Sequence, residues 1–160
     1  MNTQYKVLFV CTYWGVRSNI AKSLLDARNP EHITSYAAGF EPAQKSDFAR
    51  KLLLDREIEL HPQLPKSVFE LAKTPTRYDY VIALCSSANQ ENAHILLSSL
   101  TQMFRSGEVH LTWNISDFMS IQEEGEKRLI EASKIVDSID YEIDKLLESL
   151  NSSPKKNAFV

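Results

Sequence analysis

Glycine and cysteine are scarce in this 160-residue chain, with four of the first and two of the second. Gly15, Gly39, Gly107 and Gly125 are too scattered to form a nucleotide-binding fingerprint. Two cysteines build no disulfide framework and fit a reducing compartment in which thiols stay available. No apolar run approaches the roughly 18 residues needed to cross a bilayer. The N-terminus also lacks a basic segment leading into an apolar one. A cytoplasmic location with no membrane partner is therefore expected. A net charge of only -3 gives no reason to expect nucleic acid as a partner. His32, His61, His94 and His110 show no metal-ligand spacing with one another or with the cysteines. No metal and no cofactor are expected.

What is present suits one compact domain over residues 1–150. A hydrophobic content of 43% and a charged content of 24% allow a sizeable core. The short apolar run Lys6 to Val10 reads as a strand covered on both faces. After it, Ile20, Leu24 and Ala27 mark a helical stripe that ends at Asn29-Pro30. Ile33 to Ala38 reads as a strand and Ser46 to Arg56 as a helix. Pro65 to Lys73 is expected to be one short helix started by proline and Ser67. Tyr78 to Cys85 and Val109 to Trp113 read as further strands, separated by a helix over Gln90 to Phe104. The stripe Leu129, Ala132, Val136, Ile139, Ile143, Leu146 and Leu150 predicts a long final helix. Such spacing suits a coiled-coil seam, but in an alternating chain it fits packing on a sheet better. Asn151 to Val160 is polar, charged and proline-containing, and reads as a flexible tail. The expected fold class is α/β, a three-layer domain with a four-stranded parallel sheet flanked by helices. In such sheets ligands bind beyond the carboxyl ends of the strands. Cys11, Cys85 and the loop after Trp113 all follow strand ends and can therefore converge on one pocket.

The run Val7-Leu8-Phe9-Val10-Cys11-Thr12-Tyr13-Trp14-Gly15-Val16-Arg17-Ser18 carries the chemistry. A strand ends in a cysteine, and six residues later an arginine and a serine stand where a helix begins. The N–H groups of a tight loop and of a helix start form a concave anion site, which the helix dipole reinforces. A cysteine inside such a field is favoured as thiolate, the nucleophilic form. Arg17 adds a planar fork of donors that matches two oxygens of an oxyanion. Ser18 is placed to donate a hydrogen bond to sulfur. The expected oxyanion-binding residues are Thr12, Tyr13, Trp14, Gly15, Val16 and Arg17, with phosphate, sulfate or arsenate as the ligand. Cysteine alone at a strand end is more often a small buried hydrophobe. The arginine and serine at this spacing reverse that reading.

With this C-x5-R-S run, with Tyr36-Ala37-Ala38-Gly39 after the second strand and with an acidic loop at Asp117, the chain resembles the low-molecular-weight protein tyrosine phosphatases and the arsenate reductases built on the same fold. The resemblance implies Cys11 as nucleophile, Arg17 as transition-state clamp, Ser18 as thiolate stabiliser and Asp117 as proton donor to the leaving group. Taken alone, a loop aspartate such as Asp117 also commonly caps a turn. The family usually places proline after the aspartate, whereas here Phe118 follows. Cys85 resembles the second redox cysteine of the reductases, and Trp113 before the acidic loop resembles them too. A second thiol there attacks a Cys11–arsenate adduct and leaves a disulfide; taken as an isolated residue, Cys85 reads better as a buried structural cysteine at a strand end.

Other positions depart from both groups. Tyr13 and Trp14 stand where the relatives usually have glycine and asparagine, and Val16 where a second loop cysteine is common. The third redox cysteine of thioredoxin-coupled reductases would fall near Asn92, so a reductase relay would end on an external thiol reductant. Lys22 stands at a glutamate that in the reductases belongs to a potassium site; its ammonium either replaces the ion or is solvated on a helix face. Three readings follow. The first is a phosphatase acting on a phosphotyrosine protein or an aryl phosphate. The second is an arsenate reductase using Cys11 and Cys85. The third, ranked last because the catalytic set is complete, is a binding module that holds an oxyanion or phosphoprotein without turnover.

Overall fold

A computed structural model describes residues 4–12, 16–28, 30–40, 46–86, 90–104 and 109–152. Strands β1 (Tyr5–Cys11), β2 (Ile33–Gly39), β3 (Lys66–Ser67), β4 (Tyr80–Cys85) and β5 (Val109–Asn114) alternate with helices α1 (Val16–Ala27), α2 (Asp47–Leu54), α3 (Val68–Ala72), α4 (Gln90–Met103) and α5 (Glu126–Ser152). A 3-10 turn, Phe118–Ser120, sits between β5 and α5. The strands form one parallel sheet in the order β3-β2-β1-β4-β5. Strand order reverses beside β1, so the ligand crevice of this fold class lies at the carboxyl ends of β1 and β4.

The sheet has five strands where four were expected. The segment read as one helix from Pro65 divides into β3 and α3. Lys66 and Ser67 pair with Ala38 and Gly39, extending the sheet edge by two residues. Two residues carry no periodicity, which is why hydrophobic pattern missed them. Ser67 ends the strand and caps α3, its Oγ accepting the Phe69 N–H at 3.2 Å. Ser46 likewise caps α2, accepting the Ala49 N–H at 3.0 Å.

Alternation along the strands divides the core in two. Val7, Phe9 and Cys11 of β1, with Ile82 and Leu84 of β4, face α1, α2 and α5. Leu8 and Val10, with Val81, Ala83 and Cys85, face α3 and α4. Five consecutive residues, Val7 to Cys11, are fully buried. That is what a central parallel strand requires, since both its faces are covered. The stripe on α5 joins the first of these cores, so the long helix packs on the sheet and on α1. Arg28 at the end of α1 is paired with Asp140 and Asp144 of α5. Asn151 and Ser152 continue α5, and the rest of the expected tail, 153–160, lies outside the described residues.

After α2 the chain stops in a six-to-one turn, in which the Ile58 N–H donates to the Leu53 carbonyl at 2.9 Å. Glu57 there takes φ of 60°, the left-handed region that glycine ordinarily fills.

Candidate active site

Cys11 ends β1, with its sulfur at the mouth of α1. The backbone N–H of Ser18 donates to Cys11 Sγ at 3.3 Å. Ser18 Oγ lies 3.3 Å from the same sulfur, accepting from the thiol, or donating once the sulfur carries charge. Both residues are fully buried. The first turn of α1 therefore aims a peptide N–H and a hydroxyl at one sulfur atom.

Arg17 is only 4% exposed and lies between Thr12, which follows β1, and the segment after β5. Its Nη1 donates to the Ile115 carbonyl at 2.8 Å, and its Nη2 to Thr12 Oγ1 at 3.2 Å. The same Nη2 stands 3.7 Å from Asp117 Oδ2. Asp117 is 23% exposed and performs two tasks. It caps the 3-10 turn, Oδ1 accepting the Met119 N–H at 2.9 Å, and it presents Oδ2 to the arginine. The cap and the acid position are thus compatible rather than competing readings. The Ile115 N–H donates to the Cys85 carbonyl at 3.2 Å, which fixes the segment carrying Asp117 to the end of β4.

Of the predicted site residues, Cys11, Thr12, Arg17, Ser18 and Asp117 come together here. Val16 opens α1 and packs against the first core. Tyr13, Trp14 and Gly15 lie outside the described residues. Cys85 is close enough for the Arg17 charge to act on its thiol, but its side chain belongs to the opposite face of the sheet. Burial pushes the Cys85 thiol up from its ordinary value, and Arg17 partly opposes that rise. Both cysteines are free and buried.

Sequence reasoning missed the Ile115 carbonyl, since a backbone acceptor carries no residue signature. It also missed Asn19, whose Nδ2 donates to the His61 carbonyl at 3.4 Å while the His61 N–H donates to Ser23 Oγ at 2.9 Å. These bonds hold the segment before β3 against α1. A cavity of about 260 Å³ lies there, with Val16, Asn19, Asp47, Arg50, Leu60 and His61 in its walls. Lys22 is not merely solvated. Its ammonium is held by the Ser35 carbonyl at 2.9 Å, Ser35 Oγ at 3.2 Å and Asp26 Oδ2 at 3.0 Å. Among the described residues no three His, Cys, Asp or Glu side chains are grouped to hold a metal ion. Among them, too, no helix is long and apolar enough to cross a membrane.

The family model described as low molecular weight phosphotyrosine protein phosphatase matches residues 6–156. The chain belongs to that family. No curated protein sequence matches it. Among solved structures, a low molecular weight protein tyrosine phosphatase from T. tengcongensis aligns with a TM-score of 0.68 at 21% identity, covering 92% of this chain and 100% of that one. An arsenate reductase from Archaeoglobus fulgidus aligns with a TM-score of 0.61 at 21% identity, covering 89% and 98%. An arsenate reductase in the phosphate binding state gives 0.67 at 18% identity, covering 91% and 98%. At these identities the likeness carries the fold, so members of this phosphatase family and arsenate reductases share one architecture with this chain.

Proposed function

We propose that this family member is a cysteine-dependent phosphatase that hydrolyses phosphotyrosine or an aryl phosphate. The observation that carries the reading is the sulfur of Cys11, held by the Ser18 N–H and hydroxyl beside a buried Arg17, while the other cysteine points to the opposite face. In the first step the Cys11 thiolate attacks phosphorus, the phosphorus–oxygen bond to the aryl group breaks, and Asp117 gives its proton to the departing phenolate. In the second step the Asp117 carboxylate takes a proton from water. The water oxygen attacks phosphorus, the sulfur–phosphorus bond breaks, and inorganic phosphate leaves. Arg17 has five N–H donors, and Ile115 and Thr12 accept from two, which leaves donors for the substrate's oxygens. Their attraction grows as charge spreads over those oxygens in the transition state.

Arsenate reduction is the second reading, and the placement of Cys85 at the end of β4, within range of Arg17, favours it. There the Cys85 thiolate attacks the sulfur of a Cys11–arsenic(V) adduct. A disulfide forms, two electrons pass to arsenic, and arsenite leaves, with an external thiol reductant restoring both cysteines. A disulfide needs β-carbons about 3.5–4.5 Å apart. Side chains on opposite faces of the sheet reach that only if the segment after β4 rearranges. The deciding experiment measures aryl phosphate hydrolysis and thiol-dependent arsenate reduction on the same preparations of the wild type and Cys85→Ser. Aryl phosphate turnover retained in both supports the phosphatase. Arsenate reduction that depends on Cys85, with no aryl phosphate turnover in the wild type, overturns it.

A further inference from the structure

We propose that Phe118 is a positioning residue for Asp117, acting through an aromatic brace that ties the acid segment to α2 and α5. The proposal rests on the assignment of Asp117 as the leaving-group acid. Proline after such an aspartate limits the backbone through its ring, whereas phenylalanine leaves φ free. The constraint here comes from burial instead. The segment after β5 is pinned at two points that flank the acid: Ile115 is fully buried, Phe118 is 6% exposed, and Met119 beyond it is 60% exposed. The Phe118 ring meets Phe48 of α2 edge to face, with centroids 6.4 Å apart and planes at 83°. On Phe48 lies the guanidinium of Arg128 from the first turns of α5, 4.8 Å from the ring centroid.

The stack Phe118–Phe48–Arg128 sets where the 3-10 turn begins, and Asp117 is the cap of that turn. A turn that shifts carries the Asp117 carboxyl away from the leaving oxygen while Cys11, Ser18 and Arg17 stay in place. Loss of the brace therefore slows the protonation step and leaves oxyanion binding untouched. The selective signature is leaving-group dependence, because a poor leaving group needs the proton more than a good one does.

Phenyl phosphate and p-nitrophenyl phosphate serve as the poor and the good leaving group, with phosphate inhibition as the measure of oxyanion binding. Asp117→Asn first establishes the signature of a missing acid. Phe118→Leu and Phe48→Leu are then expected to lower kcat/KM for phenyl phosphate, which reports the leaving-group step and not the later hydrolysis common to both substrates, about tenfold or more. The loss for p-nitrophenyl phosphate is smaller, and the phosphate inhibition constant does not change. Phe48→Leu leaves the acid segment's own sequence intact, so it tests the brace even where Phe118→Leu folds poorly. Phe48→Tyr keeps the ring and restores wild-type kinetics. Equal losses on both substrates in the leucine variants, or no loss, overturn the brace when Asp117→Asn shows the selective effect. No selective effect in Asp117→Asn overturns instead the acid assignment on which the brace stands.

Discussion

Replacing Arg17 by lysine keeps the positive charge and removes the fork. Three links converge on this guanidinium: the Ile115 carbonyl at 2.8 Å, Thr12 Oγ1 at 3.2 Å and the Asp117 carboxylate at 3.7 Å. One ammonium cannot occupy the positions of both terminal nitrogens, so a lysine that reaches toward the loop abandons Ile115. That carbonyl belongs to a fully buried residue, and leaving such an acceptor without a donor costs about 1–3 kcal/mol. The same geometry removes one of two charge-assisted bonds to an oxyanion. A bond of that kind is worth about 1.5–3 kcal/mol, which corresponds to phosphate binding weakened about 10- to 150-fold. Calorimetric titration with inorganic phosphate reads the second effect, and urea unfolding without phosphate reads the first. Arg17→Lys that binds phosphate as tightly as the wild type refutes the bidentate clamp. Unchanged stability in urea refutes the tether to Ile115.

Asp117→Asn is expected to slow aryl phosphate hydrolysis by about 10²- to 10⁴-fold, read by steady-state kinetics; a full-rate variant would show that another group supplies the proton. Glu57→Gly relieves the left-handed backbone at φ 60° and is expected to raise stability by about 1 kcal/mol in urea unfolding, with unchanged or lower stability contradicting the strain. Burial raises the Cys85 thiol above its ordinary value of 9.0, so the native state holds that proton more tightly than the unfolded chain does. The resulting stability is fully present below pH 9.0 and is lost as pH rises through the raised native value. Unfolding curves for wild type and Cys85→Ala should therefore converge as pH climbs past that point; parallel curves would refute the burial argument.

The parts of this fold that were legible are those whose signal is local. The apolar run before Cys11, the strand ending at Cys85 and the α5 stripe each declare themselves by period and length. β3 did not, because two residues paired to Ala38 and Gly39 exist only through the neighbouring strand. The same distinction runs through the site. The neighbourhood of Cys11, Arg17 and Ser18 was legible from spacing alone, since the end of β1 and the first turn of α1 bring them together. The tether of Arg17 to Ile115 spans 98 residues and uses a carbonyl that every residue possesses. The opposed faces of Cys11 and Cys85 were also hidden. Alternation puts Cys11 with Phe9 and Cys85 with Ala83, but only the register, with Phe9 opposite Ile82 and Val10 opposite Ala83, shows that the two sets face opposite ways. Phe118, where the resemblance leads one to expect proline, left the geometry of this loop open in the sequence. The buried ring of Phe118 against Phe48 is the packing on which the proposed brace rests.

In the proposed reaction the phosphoryl group passes through the sulfur of Cys11. Rapid acid quench during turnover of an aryl phosphate, followed by peptide mapping by mass spectrometry, tests it directly. Phosphate is expected on the peptide that contains Cys11 in the wild type, with neither that adduct nor turnover in Cys11→Ser, which keeps the wild-type unfolding transition. Aryl phosphate turnover with no phosphate on Cys11, or turnover that survives in Cys11→Ser, would contradict it.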